Sequence, residues 1–418
     1  MLHSASPSSV RHGKLRRRRA QTVIARSLAL TLAIVVVSAG AVGAFAVGDT
    51  LHSAHASVHL TDAQGHAVKV PTVGAASGAI NILLAGTDTR TGQGGAFDTQ
   101  AELAGSSGAG NNDVTMVLHL SADHKHATVI SIPRDLMVPV PACPTKGGET
   151  SPELSAQFNT TLARGGLSCV VLTAEQLTGL TIPYAAEISF DGVIAMSNAV
   201  GGVPVCLATA VTDPYVGLNL TAGEHTLEGA EALAFVRSRH GVGDGSDLGR
   251  ISDQQLFLSS LLRTATSAGV LSNPITLYSL AKAAVSNIEL SDTMNSPVTL
   301  VSIAMALKSV PLSQFVFIQY PSTYDPSNLN RVIPNESAVL VLQQALASDT
   351  PITLTGGTGV ATETTTPAPT ASAAPSTTTS SQASATPTPS ATSTAVSLPS
   401  SVTGQTAAQQ TCAKGFEQ

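Results

Sequence analysis

Two aspartates stand at the ends of predicted neighbouring strands, where their carboxylates could hold one divalent metal ion. Asp88 follows the β-branched run 79–86, and Asp113 comes directly before the run 114–120. Two carboxylates at neighbouring strand ends are typical of a binding site for Mg²⁺, which keeps most of its water ligands and coordinates substrate phosphates. The alternative is two unrelated turn residues, because aspartate often follows a strand as a turn former. The pair predicts a site for Mg²⁺ or Mn²⁺.

Most arginines beyond residue 48 fall in short motifs at the ends of predicted strands and helices. This region has eight arginines, and five of them occupy such motifs: Arg90, Arg134, Arg237, Arg239 and Arg250. A guanidinium forms paired, directional hydrogen bonds to phosphate oxygens. The grouping therefore predicts a site that binds an anion with two or more phosphates. The alternative is a set of independent surface salt bridges.

The spacing of the last three of these arginines brings side chains together. If the stretch around Arg237 and Arg239 is extended, its period of two puts both side chains on one face. Asp247 precedes a predicted helix, in which Arg250 and Gln254 are four residues apart. Residues four apart lie on the same face of a helix. We therefore expect these side chains to contribute to one anion site.

The elements that must position these residues alternate between short β-branched runs and helical patterns. Strands are predicted at residues 79–86, 114–120, 126–133, 184–190, 202–207 and 315–320. Helices are predicted at residues 162–177, 190–199, 222–234, 251–267 and 298–308. This interleaving predicts the α/β class, as an α/β/α sandwich with helices on both faces of a mixed sheet. Chemistry in such folds collects where strands end.

Charge is distributed unevenly along the 418 residues. Seven basic side chains and no acidic one precede Asp49, whereas the rest of the chain has 14 basic against 27 acidic side chains, a net charge of −13. No basic face is left to neutralise phosphates along a duplex. A nucleic-acid partner is therefore excluded.

The stretch 27–47 contains 21 residues without a charge. As a helix it spans roughly 30 Å, the thickness of a bilayer core. The basic residues before it predict a cytoplasmic N-terminus, and therefore a single-pass protein of the cell membrane whose remainder is extracellular. The alternative is a cleaved signal peptide, since small residues occur at 41–46.

Composition divides the chain into five parts. A Thr/Ser/Ala/Pro tract begins beyond Gly356, and such a tract has too few large apolar side chains to fold. The predicted parts are a basic cytoplasmic segment (1–26), a transmembrane helix (27–47), an extracellular stalk (48–78), a globular domain (79–349) and a disordered low-complexity tail (350–418).

The four cysteines all follow the predicted membrane segment, where disulfides persist. Cys143 and Cys169 flank a loop of 25 residues, and we predict that they form a disulfide that closes it. Cys206 and Cys412 remain unassigned.

The order of the motifs resembles the LytR-CpsA-Psr family of wall-glycopolymer ligases. GTDTR, NDVTM, SIPRD, FN, VRSRH, SDLGR and QQ follow one another across residues 79–349, after a single amino-terminal anchor. The Ala-rich, Lys-poor texture with a Thr/Pro tail resembles the actinobacterial members.

The resemblance implies an enzyme that transfers a glycopolymer from a polyprenyl-pyrophosphate carrier to a sugar hydroxyl of peptidoglycan, forming a phosphodiester at the membrane. It implies that Asp88 and Asp113 hold Mg²⁺. The residues it assigns to the pyrophosphate headgroup are Arg90, Arg134, Arg237, Arg239, Asp247, Arg250 and Gln254. It also implies an apolar cleft for the isoprenoid tail.

Three positions depart from the family's usual residues. Asp253 stands where relatives have arginine before the paired glutamines, Gly110 replaces another arginine, and Gln157 replaces a lysine. These departures remove positive charge from the expected anion site. They favour two alternatives to a ligase: a lipid-pyrophosphate binder or regulator with little turnover, and a pyrophosphatase that uses water as the nucleophile.

Overall fold

The computed structural model describes residues 58–62, 66–68, 78–90, 110–145, 147–267, 270, 273–295, 297–364 and 395–416. All of them belong to one compact unit that comprises residues 54–418. The predicted basic segment (1–26) and transmembrane helix (27–47) lie outside the described residues. Within the described ranges, none of the helices has the length and apolar character needed to cross a bilayer.

The strands are mostly short and occur along the whole unit. In chain order they are β1 Ile80–Thr87, β2 Asn112–Leu120, β3 Ala127–Ile132, β4 Met137–Val140, β5 Pro144–Thr145, β6 Gly148–Glu149, β7 Glu153–Gln157, β8 Tyr184–Ile188, β9 Val203–Leu207, β10 Val211–Asp213, β11 Leu218–Leu220, β12 Gly223–Leu227, β13 Ile288–Leu290, β14 Phe315–Gln319, β15 Ser322–Asp325, β16 Asn328–Pro334, β17 Ile352–Thr353, β18 Thr362–Thr364, β19 Val396–Ser397, β20 Gly404–Thr406 and β21 Thr411–Ala413.

The α-helices alternate with these strands. They are α1 Thr161–Thr178, α2 Phe190–Ala199, α3 Gly229–Arg237, α4 Asp247–Ala265, α5 Pro274–Asn287, α6 Pro297–Lys308 and α7 Glu336–Ala347.

The central sheet has seven strands in the order β13-β8-β1-β2-β3-β14-β20. β1 pairs antiparallel with β2 and parallel with β8, and β3 pairs antiparallel with β2 and parallel with β14. Every residue of β3 is buried, as expected for a strand covered on both faces. The sheet is therefore mixed, which confirms the predicted α/β class.

Helices cover both faces of this sheet and form a three-layer sandwich. On one face, Leu83 and Val117 of the sheet share a core with Val170 of α1 and Leu342 of α7. On the other face, sheet residues pack against α6 and against the second half of α4. The predicted α/β/α arrangement is thus present, and it places the carboxyl ends of β1 and β3 beside the start of β2.

A second, four-stranded sheet in the order β12-β9-β21-β18 lies apart from the central one. The prediction of a helix over residues 222–234 is wrong in its first half, because residues 223–227 form β12 and pair with β9. Helix α3 begins only at Gly229 and runs to Arg237. Pairing with β9 outweighs the local helical pattern, since strand preference depends on the partner strand.

The predicted tail over 350–418 is wrong for residues 350–364 and 395–416. β20 joins the central sheet by antiparallel pairing with β14, and Leu398, Val402 and Ala407 are buried. Arg263 of α4 donates from Nη1 to the carbonyls of Ala407 and Gln409. Composition misled the prediction because these few apolar side chains find their partners only in the tertiary structure. The remaining tract, 365–394, lies outside the described residues.

Two disulfides connect distant parts of the unit. Cys143 bonds to Cys169, which confirms the predicted pair. Cys206 of β9 bonds to Cys412 of β21, which ties the C-terminal strands to the second sheet. Gly165 lies against the first disulfide, where an added Cβ would come within 2.7 Å of the Cβ of Cys143.

The predicted stalk over 48–78 also packs on the domain where it is described. Val58 forms a parallel bridge to Ser291, and Leu60 is buried in the core beside α1. The lower boundary of the domain therefore lies before residue 79.

Candidate active site

Asp113 and Arg134 form the centre of a charged cluster at the strand ends. Nη1 of Arg134 donates to both carboxylate oxygens of Asp113 at 3.0 Å. Arg134 follows β3, and its side chain reaches the first residues of the neighbouring strand β2. This contact joins two motifs that are 21 residues apart in the sequence.

Helix α4 contributes the other half of the cluster. Oγ of Ser246 caps the helix by accepting from the N–H of Gly249, which places Asp247 in the first turn. Nη2 of Arg250 forms an ion pair with Oδ1 of Asp247 and donates to the backbone carbonyl of Asp113 at 2.7 Å. We call Asp113, Arg134, Asp247 and Arg250 the strand-end cluster.

The carboxylates of this cluster hold Arg134 in its charged form. Burial alone lowers the pKa of the Arg134 guanidinium, but the negative charges of Asp113, Asp247 and Asp135 outweigh it and leave the pKa raised. Oδ2 of Asp247 also accepts from the backbone N–H of Arg134 at 3.2 Å. Arg134 is therefore fixed at both its backbone and its side chain.

Arg237 ends helix α3 and lies where positive charges accumulate. Burial lowers the pKa of its guanidinium, and the charges of Arg90 and Arg250 lower it further. The carboxylates of Asp113 and Asp88 oppose this shift. Arg237 is thus close enough to Arg90 and Arg250 for their charges to disfavour its own, and an anion bound beside Arg237 would offset that effect.

Asp88 is held at the end of β1 by the neighbouring loop. Its Oδ1 accepts from the N–H of Asn111 at 2.6 Å. Gly110 lies against it with φ +68°, and an added Cβ would come within 2.6 Å of that oxygen and of the Thr89 nitrogen. A side chain at this position would force its neighbours to move, so glycine suits it.

Asp88 and Asp113 are the residues that could hold a divalent ion. They lie at adjacent strand ends, because Thr87 pairs with Asn112 and Asp88 accepts from the N–H of Asn111, two residues before Asp113. Mg²⁺ is commonly bound through one or two carboxylates together with substrate phosphates, which fits this donor set. Among the residues that the structure describes, no three His, Cys, Asp or Glu side chains form a metal-binding group.

Arg239 differs from the prediction that it shares a face with Arg237. That prediction assumed an extended chain, but Arg237 is helical and Ser238 ends the helix. Arg239 instead lines a cavity of about 240 Å³ beside the β15–β16 hairpin, and its Nε donates to the carbonyl of Gly245. The alternation rule fails because the backbone changes conformation between the two arginines.

Gln254 lies behind the site. Its Nε2 donates to the carbonyl of Val236 at 2.9 Å, and only 4% of the residue is exposed. The amide therefore fixes the last turn of α3, from which Arg237 projects. Gln254 and Arg250 do share a helical face, as their spacing predicts, but Gln254 acts through the backbone beside Arg237.

Four residues that sequence reasoning missed support the site. Asn112 is fully buried and accepts from the N–H of Leu162 at the start of α1. Asp135 accepts from the Gln157 amide, and the ring of Phe190 lies 4.3 Å from the guanidinium carbon of Arg237. The fourth is Asp213. Asn112 and Asp135 are themselves part of the motifs NDVTM and SIPRD, which was the available signal.

Asp213 organises the chain after Arg237. Its Oδ2 accepts from the hydroxyl of Ser238 and from the N–H groups of Arg239, His240 and Gly241. Burial acts to raise the pKa of Asp213, but these hydrogen bonds outweigh it and leave the pKa lowered. No local motif marks this aspartate, since the four donors to its Oδ2 lie 25 to 28 residues away.

The structure also shows the surroundings of Gln157 and Asp253, the two other departures that the resemblance implies. Gln157 belongs to the network beside Arg134 because it donates to Asp135. Asp253 is fully buried, and both of its carboxyl oxygens lack hydrogen-bond partners. Leu256 and Phe257, which share its helical face, pack in the core of the second sheet. Asp253 therefore adds no charge to the strand-end cluster.

The structure is a mixed α/β/α sandwich with arginines and carboxylates gathered at its strand ends, an arrangement suited to binding an anion. The comparison with known proteins shows the family of the chain. It belongs to the LytR_cpsA_psr family, whose sequence profile matches residues 47–350.

Two curated relatives illustrate the likeness. Cell wall biosynthesis protein LcpA of Corynebacterium glutamicum is 30% identical over 318 residues, which are 71% of this chain and 60% of LcpA. The chain thus spans about three fifths of that relative's length. Polyisoprenyl-teichoic acid–peptidoglycan teichoic acid transferase TagT of Bacillus subtilis is 26% identical over 326 residues, which are 76% of this chain and 92% of TagT.

Solved structures share the fold. Protein gbs0355 from Streptococcus agalactiae superposes with a TM-score of 0.52 at 20% identity, over 65% of this chain and 88% of that one. At this identity the likeness concerns the fold alone.

Proposed function

We propose that this protein is a membrane-anchored phosphotransferase that moves a glycopolymer from a polyprenyl-pyrophosphate carrier to a sugar hydroxyl of peptidoglycan. The observation that carries the proposal is the convergence of Arg134 and Arg250 on Asp113 at the strand ends, with Arg237 close enough for Arg250 and Asp113 to act on its charge. A diphosphate bound there would add negative charge beside these guanidinium groups. Family membership and the names of LcpA and TagT support the same conclusion.

An apolar surface next to this point suits a lipid tail. Ile80, Ile82 and Leu84 project from one face of β1 and are only half-buried, whereas the alternate residues of that strand are buried. Val114 and Leu118 of β2 are likewise half-buried. Strand β1 thus leads from an incompletely covered apolar face to Asp88, and a carrier could lie along it with its headgroup at the arginines.

Catalysis would depend on positioning and on charge. The acceptor hydroxyl would attack the glycan-side phosphorus, the new O–P bond would form, and the bond to the bridging oxygen would break to release polyprenyl phosphate. Arg134, Arg237 and Arg250 would stabilise the phosphate oxygens where charge develops. The hydroxyl proton would pass to Asp113 or Asp247, both of which lie beside these arginines.

Mg²⁺ or Mn²⁺ held by Asp88 and Asp113 would neutralise phosphate charge when bound. Binding would require Asp113 to exchange part of its contact with Arg134 for the metal. The chain residues 27–47 would anchor the protein in the cell membrane, with the described unit outside the cell.

The test is an assay of the full chain in detergent with Mg²⁺, a lipid-linked glycan donor and peptidoglycan fragments. A phosphodiester-linked conjugate is expected. Free glycan phosphate would instead indicate a pyrophosphatase, and bound but unchanged lipid would indicate a binder.

Arg237→Ala is expected to lower the transfer rate on the order of 10²–10³, because one charge-stabilising donor is lost. Arg164→Ala is the matched control, since the Arg164 guanidinium bonds to Glu153 and to the carbonyl of Ser151 instead of to the strand-end cluster. Thermal unfolding of both variants should match that of the unsubstituted protein. Normal transfer by Arg237→Ala would contradict the assignment.

A further inference from the structure

A cavity of about 240 Å³ lies beneath the β15–β16 hairpin and shares a wall with the strand-end cluster. Its polar lining comes from Asp135, Arg239, Asp244, Asp247, Tyr324 and Asn330. Leu248, Leu329 and Val332 supply apolar walls. The cavity is smaller than the pockets of about 300–1,000 Å³ that take drug-sized ligands. It has room for a small polar ring system.

Arg239 is the cation of this cavity, and its position is fixed from the backbone. Asp213 accepts from its N–H, and its Nε donates to the carbonyl of Gly245. Among the residues that the structure describes, no carboxylate lies within ion-pair distance of its guanidinium. The positive charge is therefore held in place and is open to a ligand anion.

Of the carboxylates that line the cavity, Asp135 and Asp247 have cationic partners, whereas Asp244 accepts from the N–H of Ser246 and from the hydroxyl of Tyr324. Asp135 lies 3.6 Å from Nη1 of Arg331 and 3.6 Å from Nε of Arg134. Asp247 pairs with Arg250. Their remaining oxygen lone pairs suit neutral hydroxyl donors, so a ligand that fits this lining carries several hydroxyls and one negative charge.

The cavity opens beside the place where transfer would occur. Asp135 and Asp247 form its wall and also contact Arg134, at 3.6 and 3.8 Å from Nε. The hairpin is attached at this corner, because the N–H of Val332 donates to the carbonyl of Asp135. A sugar in the cavity would therefore lie one side chain away from the strand-end cluster.

We propose that this cavity is the acceptor subsite and binds an acidic sugar unit of the glycan, with Arg239 pairing the sugar's carboxylate. The hydroxyls of the ring would donate to Asp135 and Asp244, and the exposed side of Tyr324 would contact the ring. The inference depends on the proposed function, since it assigns the second substrate of the same reaction. Arg239 thereby becomes an acceptor-binding residue rather than part of the pyrophosphate site.

The test uses the full chain in detergent and two probes in titration calorimetry. The first probe is the disaccharide of N-acetylglucosamine and N-acetylmuramic acid, and the second is the same disaccharide with its carboxylate converted to a carboxamide. Arg239→Ala should weaken binding of the acid about tenfold or more, as expected for a charge-assisted contact. Binding of the carboxamide should not change. Arg164→Ala is the matched control and should leave both affinities unchanged.

Equal binding of the acid by Arg239→Ala would overturn the proposal. Equal loss of both probes would also overturn it, because that result would indicate a structural role for Arg239. Transfer is measured separately on the same samples. If the acid binds as expected but no phosphodiester forms, the ligase proposal fails while the acidic-sugar site stands. If transfer proceeds and the variant alters only the donor KM, the cavity belongs to the donor.

Discussion

Helix α4 buries two aspartates six residues apart, and their surroundings are opposite. Asp247, in the first turn, pairs with Arg250 and accepts from the backbone N–H of Arg134. Asp253, less than two turns later, is fully buried without a hydrogen-bond partner, and burial raises its pKa far above the ordinary range. One carboxylate belongs to a charged site, and the other lies in a core where burial favours its neutral form.

The difference shows where the functional site ends along this helix. A buried carboxylate remains charged only where arginines or several hydrogen bonds compensate the loss of water. The strand-end cluster provides such partners, and the core of the second sheet does not. The same residue type therefore has a chemical role at position 247 and is a source of instability at position 253.

The largest expected effect comes from removing the arginine that links the charged carboxylates. Arg134→Met should lower the transfer rate on the order of 10²–10³, because it removes a charge-stabilising donor and leaves Asp113 without its main partner. Steady-state transfer assays would measure this. Arg164→Met provides the control. Full activity of Arg134→Met would contradict the functional role given to the charged carboxylates and their arginine.

The second prediction concerns the carboxyl group of Asp253. Because the folded pKa of Asp253 is raised, the unfolded state releases this proton first as pH rises above about 4. Stability is therefore present at low pH and is lost as pH rises towards the folded pKa, by about 1.4 kcal/mol per pH unit. Asp253→Asn should remove that loss.

Chemical denaturation of the unsubstituted protein and Asp253→Asn between pH 4 and pH 8 would measure the free energy of unfolding of each. The two free energies should agree best at the acidic end and diverge as pH rises. Parallel pH profiles would mean that Asp253 is charged and compensated in the folded state.

A third buried carboxylate, Asp213, is compensated by hydrogen bonds instead of by an arginine. Its lowered folded pKa stabilises the protein above pH 4, and that contribution is lost as pH falls through the folded pKa. Asp213→Asn should lower the free energy of unfolding at pH 7 by roughly 1–3 kcal/mol. Thermal melts at pH 7 and pH 3 would check that the deficit shrinks in acid; a constant deficit would contradict the assignment.

The smallest effect is expected at the sheet edge, where Glu187 of β8 faces Glu289 of β13. Burial and the neighbouring charge of Glu289 raise the pKa of Glu187 to about 7. Its contribution to stability is present below about pH 4.5 and is lost as pH rises to 7. Glu187→Gln should therefore melt at a slightly higher temperature than the unsubstituted protein at pH 8, and not at pH 4.

Much of the site was predictable because its residues occupy short motifs at element ends. Asp88, Asp113 and Arg134 border strands that were predicted within two residues of their observed bounds. Arg250 could be placed beside Asp247 because helical spacing is a local property. The role of Asp213 could not be predicted, since the four donors to its Oδ2 lie in a different part of the sequence.

Errors arose where distant partners override local preference. Residues 223–227 follow a helical pattern but pair with β9, and the strands after residue 395 look too weak to fold. In both regions the strand that stabilises the segment, β9 or β14, lies far away in the sequence. Arg239 was misplaced for a related reason, because the end of α3 rotates it away from Arg237.

The amino-acid sequence by itself determined the α/β alternation, the Cys143–Cys169 pair and the residue types available for binding phosphate, because these depend on local pattern and composition. Only the tertiary structure decided which charges meet: Arg134 with Asp113, Arg239 with the cavity beneath the hairpin, and Asp253 with the core. The physical reason is desolvation. The charge and role of a buried group depend on what surrounds it in space, and residues distant in the sequence supply those surroundings.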